Sequence, residues 1–377
     1  MEKCYRFSAP GRTEIGGNHT DHQHGSVLAA AVNLETAATV WLENTNRIRI
    51  QSEGYSEVVV DLSDLSVREE EKNTTAALVR GVASAFVQRG AKLSGFRAQV
   101  RSTVLPGSGL SSSAAFEVLM GTILNELFFE KKLSAIEIAQ IGQYAENVYF
   151  GKPCGLMDQM ASSVGGMVHI DFADPADPIV EKIDFDFQKA GYALCIINSG
   201  ADHAGLTEEY AAITRELKDV CNFFDKEYLR QVPRGDFMAA LPALRKTVSD
   251  RAVLRAIHIY QENDRVAAQV KAIKQNDLDA FFKLITDSGH SSWMYLQNVN
   301  SAAAVEKQPV GYALALCDAL LESKGAFRVH GGGFAGTVQA FVPLDMLEHF
   351  RTGVEAVLGE GKCHVLSLRA AGGVRVK

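Results

Sequence analysis

Proline and tryptophan are scarce in this 377-residue chain, at nine and two, and its six cysteines include no CxxC pair. Cys4, Cys154, Cys195, Cys221, Cys317 and Cys363 are too scattered for a disulfide frame or a zinc cage and are expected to be free thiols of a reducing cytoplasm. No run of lysine or arginine occurs and the formal net charge is −7, so nucleic acid and anionic membranes are not expected partners. No apolar stretch approaches the roughly 20 residues that span a bilayer. The opening MEKCYRFSAP also lacks the charged-then-apolar pattern of a secretory leader. Two chemical signatures are missing as well. GxxxxGK[ST] would mark a P-loop and GxSxG an esterase nucleophile, and neither is found.

What is present reads as globular α/β (α+β): 47% apolar, 22% charged, and long enough for two domains. Between 27 and 60, TAATVWLE, RIRIQ and YSEVVVDL predict an antiparallel meander of strands. TTAALVRGVASAFVQRG has helical spacing and closes at Gly90, and a further helix is predicted over roughly 134–149. GMVHIDF and GYALCIINS read as strands on either side of a polar connector, ADPADP. Beyond about 203 the pattern is mostly helical until GAFRVHGGGFAGTVQAFVP. The composition shift divides the chain into 1–200 and 201–377.

Four stretches carry chemistry. Residues 106–115, PGSGLSSSAA, join an apolar strand to a helix, where backbone N–H groups and the helix dipole favour an anion. Pro106, Gly107, Ser108, Gly109, Leu110, Ser111, Ser112 and Ser113 are therefore candidates for a phosphate site, although a serine-capped helix explains the same letters. In AENVYFGKPCGLMDQ, Glu146 and Asp158 are separated by a Gly/Pro turn. One carboxylate could hold a divalent ion while the other takes a hydroxyl proton, but a solvated helix face and an N-cap are the ordinary alternatives. VHGGGFAGTVQAFVP meets GxGxxG at Gly331, Gly333 and Gly336, yet the following residues favour a strand, not the helix of a dinucleotide fold. Its HGGG resembles a lipase oxyanion loop, which the absence of GxSxG excludes; a glycine-rich turn between strands remains. Finally, residues 11–25, GRTEIGGNHTDHQHG, hold His19, Asp21, His22 and His24. They allow a metal reading, with His169 and His203 as remote partners, or a sugar reading in which His19 and Asp21 face vicinal hydroxyls and Arg12 supplies charge.

Taken in order, these stretches resemble the three motifs and the catalytic segment of the GHMP kinases, and among them the galactokinase family, from residue 8 to residue 342. The resemblance implies a two-domain fold: an N-terminal domain like ribosomal protein S5 domain 2 and a ferredoxin-like C-terminal domain. It implies ATP and Mg2+, a small-molecule sugar as substrate, and transfer of the γ-phosphoryl group to an anomeric hydroxyl. By position it makes Asp158 the catalytic carboxylate and Arg12 its partner, 106–113 the phosphate loop, and Ser113 and Glu146 the metal ligands. Asn18, His19, Thr20, Asp21, Gly155 and Tyr210 become the sugar contacts. A monomer or weak homo-oligomer is expected.

The match is not uniform. Asn18 stands where galactokinases carry a glutamate that binds the sugar 6-hydroxyl; His22 and Gln23 replace Tyr-Asn. His330 and Ala335 depart from the third motif. An asparagine can donate, so the first change admits either a hydroxymethyl group or a carboxylate at C6. Galactose is the first expected substrate and galacturonate the second. A metal-dependent hydrolase built on the 19–24 cluster, and a sugar sensor without turnover, are the expectations from other classes.

Overall fold

The hairpin that carries the histidine-rich turn is long: β1 (Cys4–Gly16) pairs antiparallel with β2 (Ser26–Leu42). Every residue of β1 from Phe7 onward is buried, as is the β2 run from Val27 to Val32, so protein covers both faces there. The computed structural model describes residues 3–104, 109–200, 206–302, 304–334 and 336–376. Pro106, Gly107 and Ser108 of the expected phosphate loop, His203, and Ala335 of the third motif lie outside the described residues.

The remaining strands of the first sheet are β3 (Arg47–Ser52), β4 (Val58–Asp61), β5 (Phe96–Ser102), β6 (Met167–Asp171) and β7 (Ile179–Ile183), together with Val374–Val376 near the C-terminus. The order runs from Val374–Val376 through β1, β2, β5 and β3 to β4, with β6 and β7 branching from β2. The expected meander is therefore corrected. β2 and β3 are not neighbours, because β5 lies between them, antiparallel to β2 and parallel to β3. A parallel pair needs a crossover, and α1 (Thr75–Gln88) supplies it. β7 follows the polar connector ADPADP, in a stretch to which the sequence assigned no strand.

Helices α2 (Ser112–Phe128), α3 (Ala135–Tyr144) and α4 (Met157–Val164) join α1 against this sheet. α2 is apolar almost all round and is buried from Ala114 to Asn125, as expected of a helix with no solvent face. Phe7, Val40, Ile48, Val79, Phe86, Phe96 and Leu119 form the core on this side.

The second sheet contains β8 (Tyr192–Asn198), β9 (Ala326–His330), β10 (Thr337–Pro343) and β11 (Cys363–Leu366), in the order β11-β8-β10-β9 with antiparallel pairings. Among the described residues five α-helices separate β8 from β9: α5 (Thr207–Phe223), α6 (Arg234–Leu244), α7 (Asp250–Lys274), α8 (Leu278–Ser291) and α9 (Pro309–Leu321). α10 (Leu347–Leu358) then joins β10 to β11. This β-α-β-β-α-β succession has the ferredoxin-like layout. The sheet starts at Tyr192, ahead of residue 200, and Val374–Val376 returns to pair with β1. A core of Ile15, Leu28, Val104 and Leu110 with Val266, Phe281 and Phe341 joins the long hairpin to α7, α8 and the second sheet. Among the described residues no helix is long and apolar enough to cross a membrane.

Candidate active site

β1 breaks register between Pro10 and Arg12, and at that irregularity the Arg12 backbone N–H donates to Leu110 O at 3.0 Å. Its guanidinium makes a two-pronged contact with Asp158, Nε to Oδ1 at 2.6 Å and Nη2 to Oδ2 at 2.7 Å, while Nη1 donates to Gly109 O. One buried side chain thus ties the serine-rich turn to the first turn of α4 (fork-to-fork geometry is the strongest form of this pair). Asp158 does not cap its helix, and its side chain is 29% exposed, so it remains accessible beside Arg12. Burial would raise its pKa, but the Arg12 charge and hydrogen bonds, with Ser111 and Lys152, outweigh burial and hold the carboxylate below its usual range.

Ser111 precedes α2 with φ 55° and no side-chain capping bond, so the serine-cap explanation does not describe it. Gly109 has φ +71°, and a Cβ there would press on Thr337 Oγ1 and His330 Nδ1, which explains the glycine. In the first turn of α2, Ser113 Oγ donates to Glu146 Oε1 at 3.2 Å. α3 widens into a π turn over Ala145–Phe150, a distortion frequent at functional sites, and this aims Glu146 back at Ser113. Lys152 Nζ reaches the same carboxylate oxygen at 3.3 Å, and Gln159 Nε2 holds the other at 2.8 Å. Two hard oxygen donors at a helix N-terminus fit a magnesium ion that also takes phosphate oxygens.

The histidine-rich turn is held from beneath by α7. Glu262 accepts from Gly17 N at 3.1 Å and Asn18 N at 3.4 Å, and Asn263 Oδ1 accepts from Ser26 N at 2.8 Å. Despite burial, Arg265 and His258 draw the Glu262 carboxylate down to about 2. His258 Nε2 meets Asn18 O at 3.1 Å, and burial lowers its pKa to about 4.

Asn18 is fully buried; its amide donates to Glu14 Oε1 at 3.1 Å and Gly331 O at 2.6 Å, and its Oδ1 accepts from Asn298 at 2.8 Å. Both amide hydrogens are engaged within the fold, which the sequence did not indicate. Thr20, also buried, bonds Gly17 O and Ser26 O through its hydroxyl and shapes the turn. Asp21 differs: its Oδ1 accepts from His22 N at 3.0 Å within its own turn, and its Oδ2 occupies the space a Gly155 Cβ would need. His19 Nε2 faces Gly332 O at 3.2 Å, and burial, then His22, lowers its pKa to about 3, leaving the ring neutral. Tyr210 OH donates to Gly333 O at 2.7 Å, which joins this residue to the third motif.

A Cβ on Gly155 would overlap Asp21 Oδ2. Gly155→Ala is therefore expected to swing the Asp21 carboxylate away with an unchanged melting profile, and to lower kcat/KM about 10- to 100-fold for a substrate that Asp21 holds. A wild-type KM in that variant would remove Asp21 from the site.

The third motif is the turn between β9 and β10, as the sequence indicated, and it closes onto β1. His330 Nε2 accepts from Glu14 N at 3.3 Å and meets Thr13 Oγ1 at 3.0 Å; its Nδ1 meets Thr337 Oγ1 at 2.9 Å. Arg328, fully buried, pairs with Glu14 and donates to Ile15 O at 3.1 Å. Sequence reading missed Glu14, Glu262, His258, Arg328, Gln159 and Lys152. The last two flank assigned positions and were within reach; the others meet partners more than two hundred residues away.

The metal-hydrolase expectation does not match this geometry. His24 stacks on Tyr228 with ring centroids 3.6 Å apart, His19 turns to Gly332, and Asp21 to Gly155. Among the described residues no three His, Cys, Asp or Glu side chains are grouped to hold a metal.

Residues 77–166 match the GHMP kinases N terminal domain, and residues 2–41 the galactokinase galactose-binding signature. Solved structures share the fold. A Lactococcus lactis galactokinase complexed with galactose superposes with a TM-score of 0.85 at 22% identity, covering 99% of this chain and 95% of that one. A D-glycero-D-manno-heptose 1-phosphate kinase from Bacteroides thetaiotaomicron gives 0.66 at 15% (100% and 99%), and the Methanococcus jannaschii mevalonate kinase 0.67 at 12% (99% and 99%). These structures show that the chain has the fold shared by these kinases, and within it residues 77–166 carry the GHMP kinases N terminal domain. The galactokinase galactose-binding signature falls on the long hairpin of β1 and β2.

Proposed function

We propose that this chain is an ATP-dependent sugar 1-kinase that transfers the γ-phosphoryl group of ATP to the anomeric hydroxyl of galactose. The observation that carries the reading is the Arg12 fork, which joins the serine-rich turn to Asp158 within one site bordered by Asp21 and Gly155. In-line phosphoryl transfer needs positioning and charge neutralisation more than covalent help from the protein. The amides at the start of α2 and the Arg12 guanidinium provide both at the phosphates. Ser113 and Glu146 would hold magnesium, whose charge would neutralise triphosphate oxygens. Asp158 accepts the proton of the sugar 1-hydroxyl. Held below the usual carboxylate range, it is ionised at neutral pH but a weak base, suited to taking the proton as the new P–O bond forms.

Galactose is favoured over galacturonate by charge. Arg12 is engaged by Asp158, Arg328 by Glu14, and His19 is neutral, so these groups offer a C6 carboxylate no counter-ion. The likeness to the galactokinase complexed with galactose supports the same choice. Coupled ADP release with the two sugars side by side tests it. Because an unpaired buried charge costs about 3–5 kcal/mol, galactose should lead by about 10²-fold or more in kcat/KM. A lead for galacturonate would reverse the assignment.

A further inference from the structure

We propose that Gln159 is a positioning residue whose single amide nitrogen, anchored on Glu117, keeps the Glu146 carboxylate aimed at Ser113. The proposal rests on reading Glu146 as a magnesium ligand. Gln159 and Glu117 are both fully buried, and neither is among the expected site residues. The Gln159 Nε2 hydrogens go to two different carboxyls, Glu146 Oε2 at 2.8 Å and Glu117 Oε2 at 2.9 Å. That leaves Glu146 Oε1 for Ser113 and Lys152. A carboxylate on a π turn has rotamer freedom that this contact removes, and outer contacts of this kind govern ligand geometry.

Two oxygens show how the anchor works. Among the described residues Glu117 Oε1 and Gln159 Oε1, both buried where α2, α3 and α4 pack together, have no hydrogen-bond partner. A proton on Glu117 would give this acid–amide pair a hydroxyl donor besides the amide. Burial first, then the Glu146 charge, pushes the Glu117 carboxyl well above its usual range, in agreement. Flipping the Gln159 amide would set its oxygen against both carboxyls, so the observed orientation is the favourable one. Gly142 leaves the room: a Cβ there would sit 3.1 Å from both Gln159 Cγ and Glu117 Oε2.

The test uses Mn2+ with ADP as a non-turnover probe, read by electron paramagnetic resonance, with the sugar KM and a thermal melt on the same proteins. Gln159→Leu should weaken Mn2+ binding about 10- to 100-fold with the sugar KM unchanged. Gln159→Glu, which keeps the shape and exchanges a donor for an acceptor, should do the same. Glu117→Gln keeps a neutral donor and acceptor in place and should bind Mn2+ like wild type, whereas Glu117→Leu should not. Glu146→Gln separates the two readings. If it leaves Mn2+ affinity intact, the ligand assignment fails and the proposal with it. If it abolishes binding while both Gln159 variants bind normally, the positioning role alone is overturned. Equal losses in Glu117→Gln and Glu117→Leu would overturn the anchor.

Discussion

Asp158→Asn is expected to lower kcat by about two to four orders of magnitude, the range a positioned proton acceptor contributes. The replacement keeps volume and shape. Its Oδ1 can still accept one Arg12 hydrogen, but its NH2 meets the second guanidinium N–H donor to donor, so the fork loosens without leaving a cavity. What is lost is the site for the sugar proton. Sugar affinity, carried by other residues, should change little, so the loss appears in kcat and not in the sugar KM. The pH profile offers a second check. The folded pKa of Asp158 is depressed, so the pair's stabilisation is present above the unfolded carboxylate value of about 3.9 and is lost as pH falls through the lower folded value. Wild type should therefore show no acid limb from Asp158 between about pH 5 and 8, and the variant should lose stability less steeply in acid. Steady-state kinetics and acid unfolding curves measure both. A variant turning over within a few-fold of wild type would leave Asp158 as a structural partner of Arg12 only.

Arg12 meets Asp158 and Ser113 meets Glu146, all four singled out from the sequence, whereas the buried partners of Asn18 were not foreseen, and the difference follows from where the partners lie. The first four sit in motifs whose letters suggest the chemistry: a serine turn, carboxylates on either side of a Gly/Pro turn, an arginine set between glycines. Asn18 acts through Glu14, Gly331 and Asn298, and two of these are about three hundred residues away. A buried amide and a ligand-reading amide are the same letter until those contacts are known. The strand readings divide the same way. β9 and β10 form a local hairpin and their turn was foreseen. β5 enters between β2 and β3 only because α1 carries the chain across the sheet, which no alternation of apolar residues announces. Support of the histidine-rich turn by α7 through Glu262 and His258 depends wholly on how the second half of the chain folds back.

That long-range support leads to the largest expected effect on stability, at Arg328. Its guanidinium is fully buried, pairs with Glu14, and donates to Ile15 O and to Val329 O at 2.9 Å, joining β9 to β1. Burial already raises the Glu14 pKa, with Arg328 opposing. Arg328→Met fills much of the volume but leaves Glu14 charged in a dry site, or protonated at the cost of the shift. Removing one partner of a buried pair costs about 3–5 kcal/mol, so the denaturation midpoint should drop clearly and Tm by several degrees. Adding Glu14→Gln removes the stranded charge, so the double variant should recover part of that loss; coupling between contacting residues gives this sign. The function should follow the same geometry. Asn18 hangs between Glu14 and Gly331, one residue beyond β9, so the single variant should also raise the sugar KM while leaving the Arg12–Asp158 fork intact. Chemical denaturation of the two variants, with sugar kinetics below their transitions, measures both parts. If Arg328→Met unfolds within about 1 kcal/mol of wild type, a typical surface-to-average mutational effect, the Glu14–Arg328 pair does not hold the histidine-rich turn, and the positions of Asn18 and the third motif must be maintained by α7 alone.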